Sequence, residues 1–328
     1  MKSKKALILI HDSPLQVINS LEAVYSLGLD PLNCDWVCFL TSNSNSQKQV
    51  KEVADYFNLN TQTFTFNQNP YSKINRFYKL KSFLKTKKVD YILVSMLNVD
   101  LNVYAANLKK NAEVIFYDEG THTLDLAQLK RMVLTPKSGP AGFIKKALFR
   151  LRPTNLDKLF TVFHKQLAHL PIDITPNNYS YIREHIQFKD KSNQVYIVGQ
   201  HLYKKEVHTS TFLDYLSNLK NKFSENKLYY IPHRHDSTEI LEQIHLTGIN
   251  IRHIQTCIEL ELLMKPMLPL QIIGFSSSAL LNLKLIFGEN IQVTTIRIDT
   301  RDIKKAYQDK MNQIYTTFSE YGIKEIDL

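Results

Sequence analysis

The chain has 328 residues, 44% of them hydrophobic, enough to build the cores of two ordinary domains. Its net charge of +10 calls for an anionic partner, yet no helix-turn-helix, zinc-finger or RNA-recognition aromatic pattern is present, so nucleic acid is not expected. No apolar run is long enough to span a bilayer, the run at residues 6–10 is too short for a signal peptide, and Cys34, Cys38 and Cys257 lack metal-ligand spacing; a cytoplasmic protein with free thiols is expected.

Residues 6–10 read as a first strand. Asp12-Ser13-Pro14 then opens an amphipathic helix over 15–27, with Ser13 as N-cap and Pro14 in the first turn. Strands are expected at 35–41, 61–66, 90–96 and 113–117, and helices at 47–57, 74–87 and 103–110. Residues 159–163 form one more strand, and Thr175-Pro176-Asn177-Asn178 starts a connector holding a short helix at 179–186. The alternation then restarts, with strands at 194–198, 227–231, 251–254, 270–274 and 291–298, and helices at 212–223, 258–264, 279–287 and 301–321. Such alternation argues for parallel sheets covered on both faces. The expected fold is α/β, two Rossmann-like domains, residues 1–185 and 186–328, facing across a cleft.

Ligands of open α/β sheets bind beyond the carboxyl ends of the strands. Three stretches sit there. Asp118-Glu119-Gly120 follows the strand at 113–117; a carboxylate so placed can take a proton from an alcohol, or it can be a solvated turn or helix cap. Pro232-His233-Arg234-His235 follows the strand at 227–231; His233 can donate to a departing phosphate, or it is a part-exposed loop histidine, and the His-x-His spacing also raises metal binding. Ser276, Ser277 and Ser278 lie between a strand and a helix, where hydroxyls and free N–H groups cradle a phosphate or one serine simply caps. Gly199-Gln200 ends another strand, where Gly199 lets the backbone approach a ligand, and Glu259 is placed to accept from ribose hydroxyls or to stand exposed on its helix. No Walker lysine and no GxGxxG accompany them, which weakens ATP and dinucleotide readings.

Together these residues resemble the bacterial sialyltransferases of the GT-B fold, most closely the lipooligosaccharide sialyltransferase and polysialyltransferase-like families. Those families carry an acidic pair plus Gly, a His–Pro type motif and a Ser/Ser-Thr motif in this order; Asp118-Glu119-Gly120 resembles the first and Ser277-Ser278, with Ser276 beside them, the last. Ser13-Pro14-Leu15-Gln16 looks like their N-terminal signature, making Ser13 and Gln16 acceptor-side candidates. Arg234 stands where proline usually follows the histidine, and is placed to contact a phosphate or the donor carboxylate. The resemblance implies a GT-B-like fold, with residues 1–185 as the acceptor-side domain and 186–328 as the nucleotide-donor domain. It implies inverting transfer of sialic acid or a related nonulosonic acid from a CMP-activated donor to a glycan hydroxyl of lipooligosaccharide or capsule, with no metal and no cofactor beyond the co-substrate. Asp118, favoured over Glu119, would be the base, His233 would assist the phosphate, Ser277 and Ser278 would bind it, and Glu259 would hold the ribose.

Residues 142–153, GFIKKALFRLRP, are basic and apolar at helical spacing. They form either a helix lying on an anionic inner-membrane surface, apt for a lipid-linked acceptor, or a cationic helix with its apolar side in the core. Alternatives to the leading reading are the same fold with a UDP-sugar or CMP-Kdo donor, a metal-dependent hydrolase using His233, His235 and Asp236, and a non-catalytic basic binding protein.

Overall fold

Short apolar strands alternate with amphipathic helices to give two α/β units, Met1–Tyr181 and Ile182–Leu328, in the computed structural model of the chain. The structure describes residues 4–42, 45–67, 69–129, 131–187, 189–326 and 328. The first unit runs β1 (Ala6–His11), α1 (Pro14–Ser26), β2 (Asp35–Thr41), α2 (Asn45–Tyr56), β3 (Thr61–Phe66), α3 (Pro70–Leu84), β4 (Tyr91–Val94), α4 (Asp100–Leu108) and β5 (Glu113–Tyr117). A 3₁₀ stretch (Thr121–Gln128), β6 (Val133–Leu134), α5 (Pro140–Phe149), β7 (Thr154–Asn155), β8 (Lys158–Thr161) and β9 (Asp173–Pro176) complete it. After α6 (Ser180–Glu184) the second unit continues with β10 (Asp190–Lys191), β11 (Gln194–Val198), α7 (Thr209–Lys222), β12 (Lys227–Ile231), α8 (Thr238–Leu246), β13 (Asn250–Ile251) and α9 (Ile258–Met264). It ends with β14 (Met267–Leu268), β15 (Gln271–Gly274), α10 (Ser278–Phe287), β16 (Gln292–Ile296), α11 (Gln308–Glu320) and β17 (Lys324–Ile326).

The first sheet has the order β3-β2-β1-β4-β5-β8-β9, with every pair parallel. Leu7, Ile8, Leu9 and Ile10 of β1 are fully buried, as a central strand covered by helices on both faces requires. The single tryptophan, Trp36 on β2, is buried with its indole N–H donating to Pro31 O at 2.9 Å. The second sheet, β13-β12-β11-β15-β16-β17, is also wholly parallel. In each sheet the chain order reverses beside the first long strand, between β1 and β4 and between β11 and β15. Those are the points where such sheets open a crevice at their carboxyl ends.

The division falls after Tyr181 rather than after residue 185 because Tyr181 is tied into the first unit. Its N–H donates to buried Glu22 at 3.0 Å, and its ring packs against Tyr25 and Phe57. Other expectations shift in detail. The third helix begins at Pro70, with Asn69 accepting from the Ser72 N–H at 2.6 Å as a side-chain cap. The strand expected at 251–254 shrinks to the edge pair Asn250–Ile251. The helix expected from 301 is broken into two single 3₁₀ turns before α11, because Lys304 N–H is drawn to Glu206 O at 2.9 Å. Helix α8 and strands β9 and β17 were not expected. Ser13 occupies the N-cap position of α1 as expected, but its side chain makes no capping hydrogen bond.

Candidate active site

The candidate residues form two clusters, each at the carboxyl-terminal rim of its own sheet. In the first unit, Tyr117 anchors the end of β5 by donating its hydroxyl to Leu9 O at 2.8 Å. Gly120 follows at φ 87° and ψ −158°, a backbone conformation essentially reserved for glycine, and turns the chain directly behind Asp118-Glu119.

The two acids then part company. Glu119 is half-buried, and its Oε1 accepts from Gln16 Nε2 at 2.8 Å. Gln16 is fully buried, and its own carbonyl oxygen accepts from the His11 N–H at 2.6 Å, so its amide can only aim its NH₂ at Glu119. A carboxylate held by a fixed donor at a sheet rim is geometrically able to receive a proton from an alcohol. Asp118 instead points inward and is 1% exposed. Its Oδ2 accepts from the Val162 N–H at 2.6 Å, tying β5 to the end of β8, while the buried Oδ1 has no hydrogen bond of good geometry. Burial pushes the Asp118 carboxyl up from 3.8 to about 7, a shift moderated by the Thr161 hydroxyl, the Val162 N–H and the Thr123 hydroxyl.

Behind them Asn19 acts as a buried hub. It donates to Asp118 O at 3.1 Å and accepts from the Tyr179 hydroxyl at 2.8 Å. His11, beside Gln16, stacks on Phe39 at 5.4 Å and has Nε2 2.7 Å from Asn102 Oδ1; burial lowers its pKa to about 4, so it is neutral. Neither Asn19 nor His11 was singled out in the sequence. His11 offered a signal, an imidazole at the last position of the first strand.

In the second unit Gln200 and Ser276 meet across the point where strand order reverses. Gln200 Nε2 donates to Ser276 Oγ at 2.9 Å, and Gln200 Oε1 accepts from the Ser276 N–H at 2.9 Å. Ser276 is 1% exposed and therefore locks the crevice rather than lining it. Ser277 is the N-cap of α10, accepting from the Ala279 N–H at 3.3 Å. Ser278 is the first helical residue, half-buried, and among the described residues its hydroxyl makes no hydrogen bond. Glu259 is 4% exposed and accepts from Asn282 Nδ2 at 2.8 Å, so it is held between α9 and α10 rather than presented at an open surface; burial raises its pKa.

Gly199 has a use other than approach to a ligand. A Cβ there would lie 2.5 Å from Ile231 O and 2.8 Å from both the His233 N and the Tyr230 hydroxyl. The missing side chain thus lets the Pro232-His233 loop cross the end of β11.

That loop is built around Asp236, whose side chain is wholly buried. Its Oδ1 accepts from the Tyr203 hydroxyl at 3.1 Å, and its Oδ2 from the Tyr230 hydroxyl at 3.0 Å and the His233 N–H at 2.8 Å. His201 Nδ1 lies 3.7 Å from Asp236 Oδ1, and the His201 and His233 rings are 6.1 Å apart. His235 N–H donates to His233 Nδ1 at 3.3 Å, which leaves His233 Nε2 to carry the ring proton. Burial lowers the His233 pKa to about 4, against the opposing pull of Asp236, so the ring is a neutral donor at pH 7. Arg234 and His235 are exposed beside it. His201 was missed in the sequence, although it directly follows Gly199-Gln200 at a strand end.

Among the described residues one group has donor atoms close enough for a metal ion, His201, His233 and Asp236, all within 4.8 Å. It differs from the His233, His235 and Asp236 set of the alternative hydrolase reading, with His201 in place of His235. The donor chemistry does not favour a cation, because both Asp236 oxygens already accept hydrogen bonds from two phenols and an amide. Three imidazoles and Arg234 around one carboxylate already bound by three donors suit an anion better. Of the three free cysteines, Cys34 and Cys38 are buried, with pKa values pushed up by burial to about 11 and about 12, which makes them unreactive.

The chain matches no family model and no curated protein. Among solved structures it is similar to the α/β-galactoside α-2,3-sialyltransferase of the luminous marine bacterium Photobacterium phosphoreum. That match covers 99% of both chains at a TM-score of 0.53 and 12% identity. It is also similar to the GT-B domain of a sialyltransferase from Photobacterium damselae, over 98% of this chain and 99% of that one, at 0.52 and 11%. A third likeness is to S. aureus MnaA, whose structure was solved with UDP, over 97% and 88% of the two chains at 0.56 and 10%. At these identities the likeness is one of fold, and the fold is GT-B, two Rossmann-like domains.

Proposed function

We infer that the chain is an inverting glycosyltransferase that moves sialic acid or a related nonulosonic acid from a CMP-activated donor to a hydroxyl of a surface glycan, lipooligosaccharide or capsule. The observation that carries this reading is the Gln16–Glu119 pair, a half-buried carboxylate with a fixed donor at the rim of the first sheet. In this reading Glu119 is the general base on the acceptor hydroxyl, in preference to Asp118, whose oxygens are sealed inside. Ser13 and Gln16 stand on the acceptor side.

The second unit holds the donor. His233 Nε2–H, Arg234 and the Ser278 hydroxyl with the amino end of α10 supply hydrogen bonds and charge to the phosphate that departs as CMP. Gln200, Ser276 and Glu259 shape that site from within. A phosphate brought beside the neutral His233 imidazole raises its pKa, so the ring gains a proton as negative charge arrives and stabilises the leaving group when that charge is greatest. In this reading the chemistry rests on side chains alone, with no metal and no cofactor.

A thermal-shift panel of CMP, CDP, UDP and GDP tests the donor class. A nucleotide at a hundred times its Kd stabilises the fold by ~2.7 kcal/mol. CMP is expected to give the largest shift; an equal or larger shift with UDP overturns the CMP assignment in favour of a UDP-sugar.

A further inference from the structure

We propose that α5, together with a lysine-walled groove beside it in the first unit, is a docking face for an anionic lipid bilayer. The two sequence readings of residues 142–153 part here. Phe143, Ile144 and Leu148 are 74%, 60% and 51% exposed, so the apolar side of α5 faces solvent rather than core. Phe143 and Ala147, and Ile144 and Leu148, are each four residues apart, which places all four on one stripe of the helix. A stripe of three large apolar side chains in the open is a surface waiting for a partner.

The helix is firmly mounted underneath. Phe149 is buried and stacks on Phe77 of α3 at 4.2 Å, and Lys145 pairs with buried Asp100 of α4 at 2.9 Å. Asp100 begins α4 just after β4, and Glu119 follows β5, the next strand of the sheet. The root of α5 therefore lies on the same rim as Glu119.

Charge identifies the partner. Lys146 on α5, Arg150 at its C-cap and Arg152 just beyond are exposed, and among the described residues none of them forms an ion pair. The ring of Tyr78, which meets Phe149 at 5.5 Å, links α5 to a groove of about 420 Å³ between α3 and α4. Leu84 and Leu108 supply apolar wall there, and Lys81, Lys85 and Lys109 supply positive charge. An apolar stripe flanked by cations is the pattern of a helix lying in an anionic interface, and the groove adds a place for a headgroup phosphate. A second copy of the chain would meet the same ring of cations and be repelled. The inference does not depend on which sugar is transferred, so it stands or falls separately from the proposed function.

Flotation of the full chain with vesicles tests it. Binding is expected to phosphatidylcholine mixed with phosphatidylglycerol, not to phosphatidylcholine alone, and to be stripped by raised salt. The double variant Phe143→Ser/Leu148→Ser is expected to stay at the bottom of the gradient with its thermal melt unchanged. Each lysine removed in Lys81→Ala and Lys85→Ala is expected to weaken binding about fivefold. Failure of the wild-type chain to float with anionic vesicles at low salt overturns the proposal. So does a wild-type dimer that Phe143→Ser/Leu148→Ser converts to monomers, because the stripe is then a self-interface.

Discussion

Replacing Asp118 by Asn separates the two neighbouring acids in one experiment. Burial pushes the Asp118 carboxyl up to about 7 in the folded chain, against 3.8 for the solvated carboxyl of an unfolded one. The folded state therefore keeps a proton that the unfolded chain has already lost, and stability falls as pH rises between about 4 and about 7. The shift corresponds to ~4 kcal/mol at ~1.36 kcal/mol per unit, present in full below pH 4 and lost above pH 7. An Asn side chain keeps an oxygen to accept from the Val162 N–H and places an NH₂ where Oδ1 lies, near the Thr161 and Thr123 hydroxyls. Asp118→Asn should thus match the wild type near pH 4 and exceed it by up to ~4 kcal/mol at pH 8. Urea unfolding followed by ellipticity from pH 4 to pH 8 measures this. Turnover, read as nucleotide release, should stay within tenfold of wild type, whereas Glu119→Gln should lose ~10²–10⁴-fold with its fold intact. A variant no more stable than wild type at pH 8 refutes the burial argument. Lost turnover in Asp118→Asn with near-normal Glu119→Gln returns the base to Asp118.

The second unit offers three further tests. Gly199→Ala drives a Cβ into Ile231 O, the His233 N and the Tyr230 hydroxyl, none of them a yielding side-chain end; a loss of ~1–3 kcal/mol in unfolding free energy and of nucleotide-induced stabilisation is expected. Asn282→Ala strips the Glu259 carboxylate of its donor and should cost ~1–3 kcal/mol. Because the Glu259 pKa is already raised and would rise further, that cost should be larger at pH 8 than at pH 5 in paired thermal melts. Asp236→Asn removes the charge that pulls the His233 pKa upward and places an NH₂ near either a phenol or the His233 N–H. The imidazole should titrate lower still by NMR and turnover should fall, while a variant with an unchanged His233 titration would show that Asp236 exerts no charge on it.

The α/β alternation was legible because strands such as β1, β11 and β15 are covered on both faces and therefore read as plain apolar runs. The motifs at strand ends were legible for the same reason, since a polar residue straight after such a run lands on the sheet rim. Burial at that rim was not legible. Asp118 and Glu119 are adjacent, and only the three-dimensional path through Gly120 shows that one turns into the β5–β8 junction while the other meets Gln16. The partners of a buried carboxylate can likewise come from separate segments: Asp236 gathers Tyr230 from the end of β12 and His201 and Tyr203 from the loop after β11, and no spacing rule connects the two. For α5, helical periodicity correctly gave an apolar face, but periodicity says nothing about which side is covered.

Trp36 gives the chain a built-in optical label. It is the only indole, and it is buried in the first unit, so tryptophan emission reports the unfolding of that unit alone while the second unit stays dark. Ellipticity, by contrast, sums the helices of both. Coincident melts in the two signals would mark a single cooperative transition, and separated melts would mark two folding units. With the donor proposed to bind the second unit, added CMP then becomes a probe of communication. Movement of the ellipticity transition alone would show independent units, and movement of the emission of Trp36 as well would show that nucleotide bound to one unit stabilises the other.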